Sequence, residues 1–254
     1  MKKKVEDLPV TENRRLNEEY YELVLRSGEA LPAIAPGQFA ELRVDHAPRT
    51  FLRRPISFYD TDPNRREIRF LIQEVGEGTR QLARLQPGDL LNVIYPLGHP
   101  FSVVPGSRFL LVAGGVGIAP MLLLGRKLRE EGKTPVFLFG FRSSRQWFDL
   151  TRFEALGEVH ITTEDGSLGE QGLVTGHPVI KTEHFDGYYT CGPEPMMKAV
   201  AALADGRDTF CEVSLENTMA CGFGACLTCA QPTVHGMKMV CTDGPVFNTK
   251  ELLW

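Results

Sequence analysis

Tryptophan is scarce, at two in 254 residues, and no apolar run approaches the roughly 18 residues that a bilayer span requires. Basic residues are outnumbered: 28 Lys and Arg against 32 Asp and Glu leave a formal net charge of −4, without the basic stripe of a nucleic-acid binder. No internal repeat or low-complexity tract is present. Six histidines (His46, His99, His160, His177, His184 and His235) are scattered without metal-ligand spacing, so each reads as a solvent-exposed side chain. No residue stands out as a general acid or base. The start is basic, but Val5-Glu6-Asp7-Leu8-Pro9 follows instead of an apolar stretch, so a secretory signal is not expected and a cytoplasmic protein is.

The 43% hydrophobic and 24% charged content is ordinary for a globular chain, and the length suits two compact domains plus a small segment. Short aromatic and aliphatic runs at Tyr20–Leu25, Gln38–Val44, Ile56–Tyr59, Glu67–Glu74 and Leu90–Tyr95 are separated by turns at Ala35-Pro36-Gly37, Asp60–Asn64 and Pro87-Gly88-Asp89. That spacing predicts a closed antiparallel barrel over 1–103, with one helix at Gly78–Leu85. From Phe109–Ala113 the pattern changes to apolar runs alternating with helical stretches: Met121–Glu131, Val136–Phe139, Trp147–Leu156, Val159–Thr162, Tyr188–Thr190 and Glu194–Ala204. This predicts a doubly wound α/β domain over 104–211 and a small C-terminal segment, 212–254, so the fold class is multidomain α+β.

The C-terminal segment carries the densest chemistry. Cys221, Cys226, Cys229 and Cys241 follow C-x4-C-x2-C-x11-C, with glycines between the first three. Four thiolates with C-x4-C-x2-C as the opening spacing suit a [2Fe–2S] cluster, and glycine lets backbone N–H groups approach the sulfurs. A structural zinc site is the alternative, although such sites usually bring two C-x2-C pairs where this chain has one. Two disulfides are a third reading, against the reduced state of cytosolic thiols.

Two glycine-bearing turns each follow a strand and open a helix. Gly114-Gly115-Val116-Gly117-Ile118-Ala119-Pro120 lets backbone approach a pyrophosphate, and Pro120 fits a first helical turn. It departs from G-x-G-x-x-G and has no P-loop lysine, so a purely structural turn is the alternative. Cys191-Gly192-Pro193-Glu194-Pro195-Met196 stands at the carboxyl edge of the sheet, where Cys191 either faces a nicotinamide or fills a tight turn. In the barrel, Arg53 and Arg54 beside Ser57 offer a phosphate site or a solvated basic turn, and Gly76-Glu77-Gly78-Thr79 opens the lone helix. Thr163-Glu164-Asp165-Gly166-Ser167 reads equally as a ribose contact or an ordinary turn, and Arg142 and Arg145 as partners for a 2′-phosphate.

Taken together, Arg54-Pro55-Ile56-Ser57, Gly78-Thr79, Gly114-Gly115-x-Gly117-x-x-Pro120 and Cys191-Gly192-Pro193 resemble the ferredoxin–NADP reductase superfamily over essentially the full length. With the cysteine series and Asp243-Gly244-Pro245-Val246-Phe247, the chain is similar to the electron transfer subunits of B-type dihydroorotate dehydrogenases. The resemblance implies FAD along Arg54, Pro55, Ile56, Ser57, Leu71, Ile72, Gln73, Gly78 and Thr79. It implies NAD at Gly114, Gly115, Gly117, Pro120, Cys191, Gly192, Pro193 and Met196, and the cluster on the four cysteines. It also implies a catalytic partner subunit carrying FMN, in a heterotetramer of two plus two chains. Electrons from dihydroorotate would cross the cluster and FAD to NAD+ in pyrimidine biosynthesis, with no catalysis on dihydroorotate by this chain alone. Two rival functions remain: a related NAD(P)H-linked flavin and iron–sulfur reductase subunit serving ferredoxin, sulfide or hydrogenase chemistry, and a non-enzymatic zinc-stabilised interaction module.

Overall fold

In a computed structural model describing residues 3–254, the chain opens with β1 (Lys4–Arg15) and β2 (Tyr20–Arg26). There follow β3 (Phe39–Leu42), β4 (Arg54–Ser57), β5 (Asp60–Asp62), β6 (Glu67–Gln73), α1 (Glu77–Leu82) and β7 (Leu90–Leu97). These strands form one antiparallel sheet in the order β4-β3-β7-β1-β2-β6-β5. Its concave face buries Leu8, Leu23, Leu25, Leu42, Phe58, Phe70 and Val93. The 12-residue β1 lies at its centre, although the sequence pattern gave no strand there. Leu8 and Val10 are its only two buried side chains, too few to make a period-2 signal.

The barrel is curled but not closed. Among the described residues no ladder joins the end strands β4 and β5. β5 covers β6 only as far as Arg69, so Leu71–Gln73 pair on one side alone, with β2. The free edge of β6 therefore faces a seam in the barrel wall.

The second sheet is built from β8 (Arg108–Gly114), β9 (Thr134–Phe141), β10 (Glu158–Thr163), β11 (Glu170–Gln171), β12 (Gly187–Cys191) and β13 (Phe210–Ser214). These strands are parallel, in the order β11-β10-β9-β8-β12-β13. The helices are α2 (Ala119–Glu130), α3 (Thr151–Glu154), α4 (Pro178–Thr182) and α5 (Glu194–Asp205). α3 is much shorter than the stretch expected at Trp147–Leu156; the Asp149 carboxylate accepts the Thr151 N–H just ahead of it. The parallel sheet runs on to Ser214, past residue 211. His177 departs from its expected exposure: it is buried, and its Nδ1 accepts the Val179 N–H at the start of α4.

The C-terminal segment contains the hairpin β14 (Ala230–Thr233) and β15 (Gly236–Met239), then returns as β16 (Val246–Asn248) to pair antiparallel with β13. One apolar cluster unites Phe39 and Leu97 of the barrel, Met197 of α5 and Val213 of β13, and Cys229, Val240, Cys241 and Phe247 of this segment. Burial of this shared core fixes all three parts against one another.

Candidate functional site

The chain winds from β8 outward through β9 and β10, then crosses to the other side of β8 for β12. Two strand ends therefore stand side by side at the switch point, with Cys191 in register with Ala113. The turns leaving them pack backbone on backbone. A Cβ on Gly117 would lie 2.3 Å from the Cys191 carbonyl oxygen, and one on Gly192 (φ +138°) 2.7 Å from the Gly114 carbonyl oxygen. Both positions need glycine for that reason.

These turns form the end of a cleft of about 950 Å³. Of the residues expected to hold NAD, Gly114, Gly115, Gly117, Gly192, Pro193 and Met196 line it. Pro120 is buried in the first turn of α2, where it shapes the helix start, and Cys191 is buried beneath the cleft. Arg142 and Glu164, at the ends of β9 and β10, line the cleft too. Tyr20, Gln73, Leu173–Thr175, Glu216, Asn217, Gln231 and Trp254 also line it. Of these, the sequence singles out Gln73 for FAD and the apolar end at Trp254 for a partner interface. Glu216 is the most consequential of the others: its Oε1 lies 3.8 Å from the Cys191 thiol. Glu216 stays exposed to solvent in the cleft, with its carboxyl raised above the usual range by the protein packed around it, and burial together with this carboxylate raises the thiol of Cys191. The contact spans 25 residues of sequence, so no local motif announces it.

At the barrel seam, Arg54, Pro55, Ile56 and Ser57 form β4, all half-buried. The Arg54 side chain reaches the start of α1, where a Cβ on Gly78 would lie 2.9 Å from Arg54 Nε. That Nε is buried without a hydrogen-bond partner. A phosphate in this niche would satisfy it, which is the donor set FAD requires. Thr79 holds the turn: its Oγ1 accepts the N–H groups of Val75 and Gly76, and its carbonyl accepts the Tyr21 hydroxyl at 2.7 Å. Leu71 and Ile72 bury their side chains, so they present to the seam the unpaired backbone edge of β6.

The cysteine loop arranges its thiols as two pairs. Cys221 lies within hydrogen-bond reach of Cys226, and Cys229 of Cys241, whose N–H points at Cys229 Sγ at 3.4 Å. All six cysteines are free thiols. Among the described residues no group of three or more His, Cys, Asp or Glu side chains converges for a single metal ion. Two pairs suit a two-iron cluster, with two thiolates per iron, better than one tetrahedral zinc. The Thr228 and Cys221 groups around Cys226 pull its thiol down to about 6, towards the thiolate a ligand must be. Burial beside Cys229 pushes Cys241 up to about 12, a cost that bound iron would offset.

Glycine is required again where the loop meets the barrel. Gly222 (φ +73°) packs on Glu41 of β3, and a Cβ there would lie 2.7 Å from Glu41 Cγ. Glu41 is almost fully buried, with neither carboxyl oxygen hydrogen-bonded. Burial raises its pKa to about 7, against opposing pulls from Arg53 and Arg54. The folded chain therefore holds this proton more tightly than the unfolded one. That contribution is complete below about 4.5 and is lost as pH rises through about 7. Glu41→Gln, which mimics the protonated acid, is expected to raise the melting temperature at pH 8, by up to about 3 kcal/mol of stability, and to change it little at pH 5. Equal shifts at both pH values in thermal melts would exclude this origin.

Comparison with known proteins agrees with this geometry. Residues 216–253 match the iron–sulfur cluster binding domain of dihydroorotate dehydrogenase B, and residues 111–202 match an oxidoreductase NAD-binding domain. The chain is 42% identical over 249 residues to the dihydroorotate dehydrogenase B (NAD(+)) electron transfer subunit of Caldanaerobacter subterraneus subsp. tengcongensis, covering 96% of this chain and 97% of the relative. It is 38% identical to the counterpart from Shouchella clausii, covering 100% of both chains. Among solved structures, an NADH-dependent reduced ferredoxin–NADP oxidoreductase superposes with a TM-score of 0.88 at 28% identity, over 98% of this chain and 90% of that one. Phthalate dioxygenase reductase shares the fold, with a TM-score of 0.67 at 17% identity, over 94% of each chain. Near-full-length identity at this level shows that the chain belongs to the family of dihydroorotate dehydrogenase B (NAD(+)) electron transfer subunits.

Proposed function

We propose that this chain is the electron transfer subunit of an NAD-dependent dihydroorotate dehydrogenase, acting in the cytoplasm with a catalytic subunit that carries FMN. With FAD and the [2Fe–2S] cluster bound, it supplies the conversion between single-electron transfer from the partner and two-electron transfer to NAD+. The observation that carries this reading is the apolar cluster shared by all three parts of the chain. It ties the Cys229–Cys241 pair to the barrel wall and to α5, whose start lines the nucleotide cleft.

Each part has its task. Arg54 and the Gly78–Thr79 turn hold the FAD phosphates, and the free edge of β6 borders the flavin. Gly114–Gly117 and Gly192–Met196 receive NAD. Cys221 and Cys226 hold one iron, Cys229 and Cys241 the other. N–H groups from the loop point at the sulfurs: Cys241 N–H at Cys229, and Gly224 N–H at Cys241. Such bonds set how readily the cluster accepts an electron. Cys226 is exposed at the loop tip, flanked by exposed Phe223 and Leu227, and this apolar rim is where the partner docks. In this reading the two-electron oxidation of dihydroorotate belongs to the partner, in an assembly of two plus two chains.

Anaerobic co-purification from native extract tests this. The expected complex contains a second chain that oxidises dihydroorotate, together with FAD, FMN, iron and sulfide. A yellow-brown complex whose second chain acts on ferredoxin, sulfide or hydrogen instead would assign the subunit to that chemistry.

A further inference from the structure

Four of the six tyrosines spend their hydroxyls inside the chain. Tyr21 donates to the Thr79 carbonyl, Tyr95 to Glu6 and Tyr189 to the Ser102 carbonyl, while Tyr188 accepts from Arg207. Of the other two, Tyr59 and Tyr20, it is Tyr20 that is fully buried with a buried hydroxyl that has no partner. The hydroxyl lies at the floor of the nucleotide cleft against the glycine turn, where a Cβ on Gly115 (φ +56°) would approach it to 3.4 Å. Tyr20 belongs to β2 of the barrel, so it reaches the nicotinamide turn from the opposite domain.

Its placement is tightly built. Asn17 Oδ1 accepts the N–H groups of Glu19 and Tyr20, and Asn17 Nδ2 donates to the carbonyls of Gln146 and Trp147 after β9. The Glu19 carboxylate accepts Gln73 Nε2 of the barrel at 2.7 Å and Gln146 Nε2 of the turn after β9 at 2.8 Å. The Tyr20 ring packs on Phe148 with centroids 5.8 Å apart. A side chain held this firmly, with its polar atom unmatched, has a donor ready for a group that is not part of the chain. Burial keeps the phenol protonated, so it arrives as a donor.

We propose that the Tyr20 hydroxyl donates a hydrogen bond to the pyrophosphate of NAD(H) bound at the Gly114–Gly117 turn, so that the flavin-side barrel supplies part of the nicotinamide site. This deepens the function proposed above and rests on it. The loop from Asn17 to Tyr20 then binds nucleotide and domain interface together, and the pyrophosphate becomes a third tie between the two sheets.

The test is Tyr20→Phe in the FAD- and cluster-loaded protein, which keeps the ring packing. Binding of NAD+, ADP-ribose and 5′-AMP is measured by calorimetry. NAD+ and ADP-ribose are expected to weaken roughly tenfold, as for loss of one hydrogen bond to a charged group, and 5′-AMP, which lacks the pyrophosphate, to be unchanged. FAD content and cluster absorbance stay as before. KM for NADH rises while the limiting rate of flavin reduction holds. Unchanged NAD+ affinity would overturn the proposal, as would equal weakening for 5′-AMP or loss of FAD in place of NAD+. If the unsubstituted protein itself bound no NAD+, the failure would lie with the proposed function.

Discussion

Cys226→Ser is expected to abolish the visible absorbance of the iron–sulfur cluster while NADH still bleaches the flavin at close to the original rate. Cys226 is the exposed member of the first thiol pair, and serine does not ionise at neutral pH as this thiol does, with its pKa drawn down to about 6. The cleft that receives NADH includes none of the four cysteines, and neither does the Arg54 niche. Electron delivery to the partner should therefore collapse alone. Anaerobic spectra with iron and flavin analysis make the measurement. Loss of flavin bleaching by NADH with FAD still bound would place the cluster before the flavin on the NADH side and reverse the proposed order.

The second large effect is expected from Gly117→Ala. The added methyl would stand 2.3 Å from the Cys191 carbonyl oxygen, and main chain on both sides leaves it nowhere to go. Overpacking of this kind costs typically 1–3 kcal/mol, and relief requires the two nucleotide turns to part. NADH affinity should fall by tenfold or more, since about 1.4 kcal/mol of lost binding suffices. FAD should remain, because the barrel seam lies on other strands. Gly176→Ala, where no atom lies within 4 Å of the new methyl, serves as the control and should bind NADH normally. Equal affinities in the two variants would show that the close approach of these turns does not matter for nucleotide binding.

What was legible in the sequence follows from where the physics is local. The glycine turns could be read because strand, turn and helix start lie within a dozen residues, and the cysteine series because ligand spacing is itself the signal. The apolar strands β8, β9 and β12, buried on both faces, announce themselves as continuous runs. β1 did not, because a polar strand at the centre of a sheet is stabilised by two ladders of backbone bonds rather than by its side chains. β13 was missed at Phe210–Ser214, where Glu212 interrupts the run; its buried carboxylate accepts the Ser102 N–H, a contact 110 residues distant. Tyr20, Glu41 and Glu216 share that obscurity. Each matters through what it faces across a domain boundary, and only the assembled fold brings the two sides together.

The return of the C-terminal segment as β16 has a consequence for how the metal arrives. Ser214 and Val246 are paired neighbours on adjacent strands, so everything between them leaves a finished sheet and comes back to the same spot. The excursion that carries the thiols is therefore clasped at both ends by sheet hydrogen bonds. Of the four thiols Cys226 is the exposed one, open to an incoming iron, whereas Cys229 and Cys241 lie in the core that all three parts share.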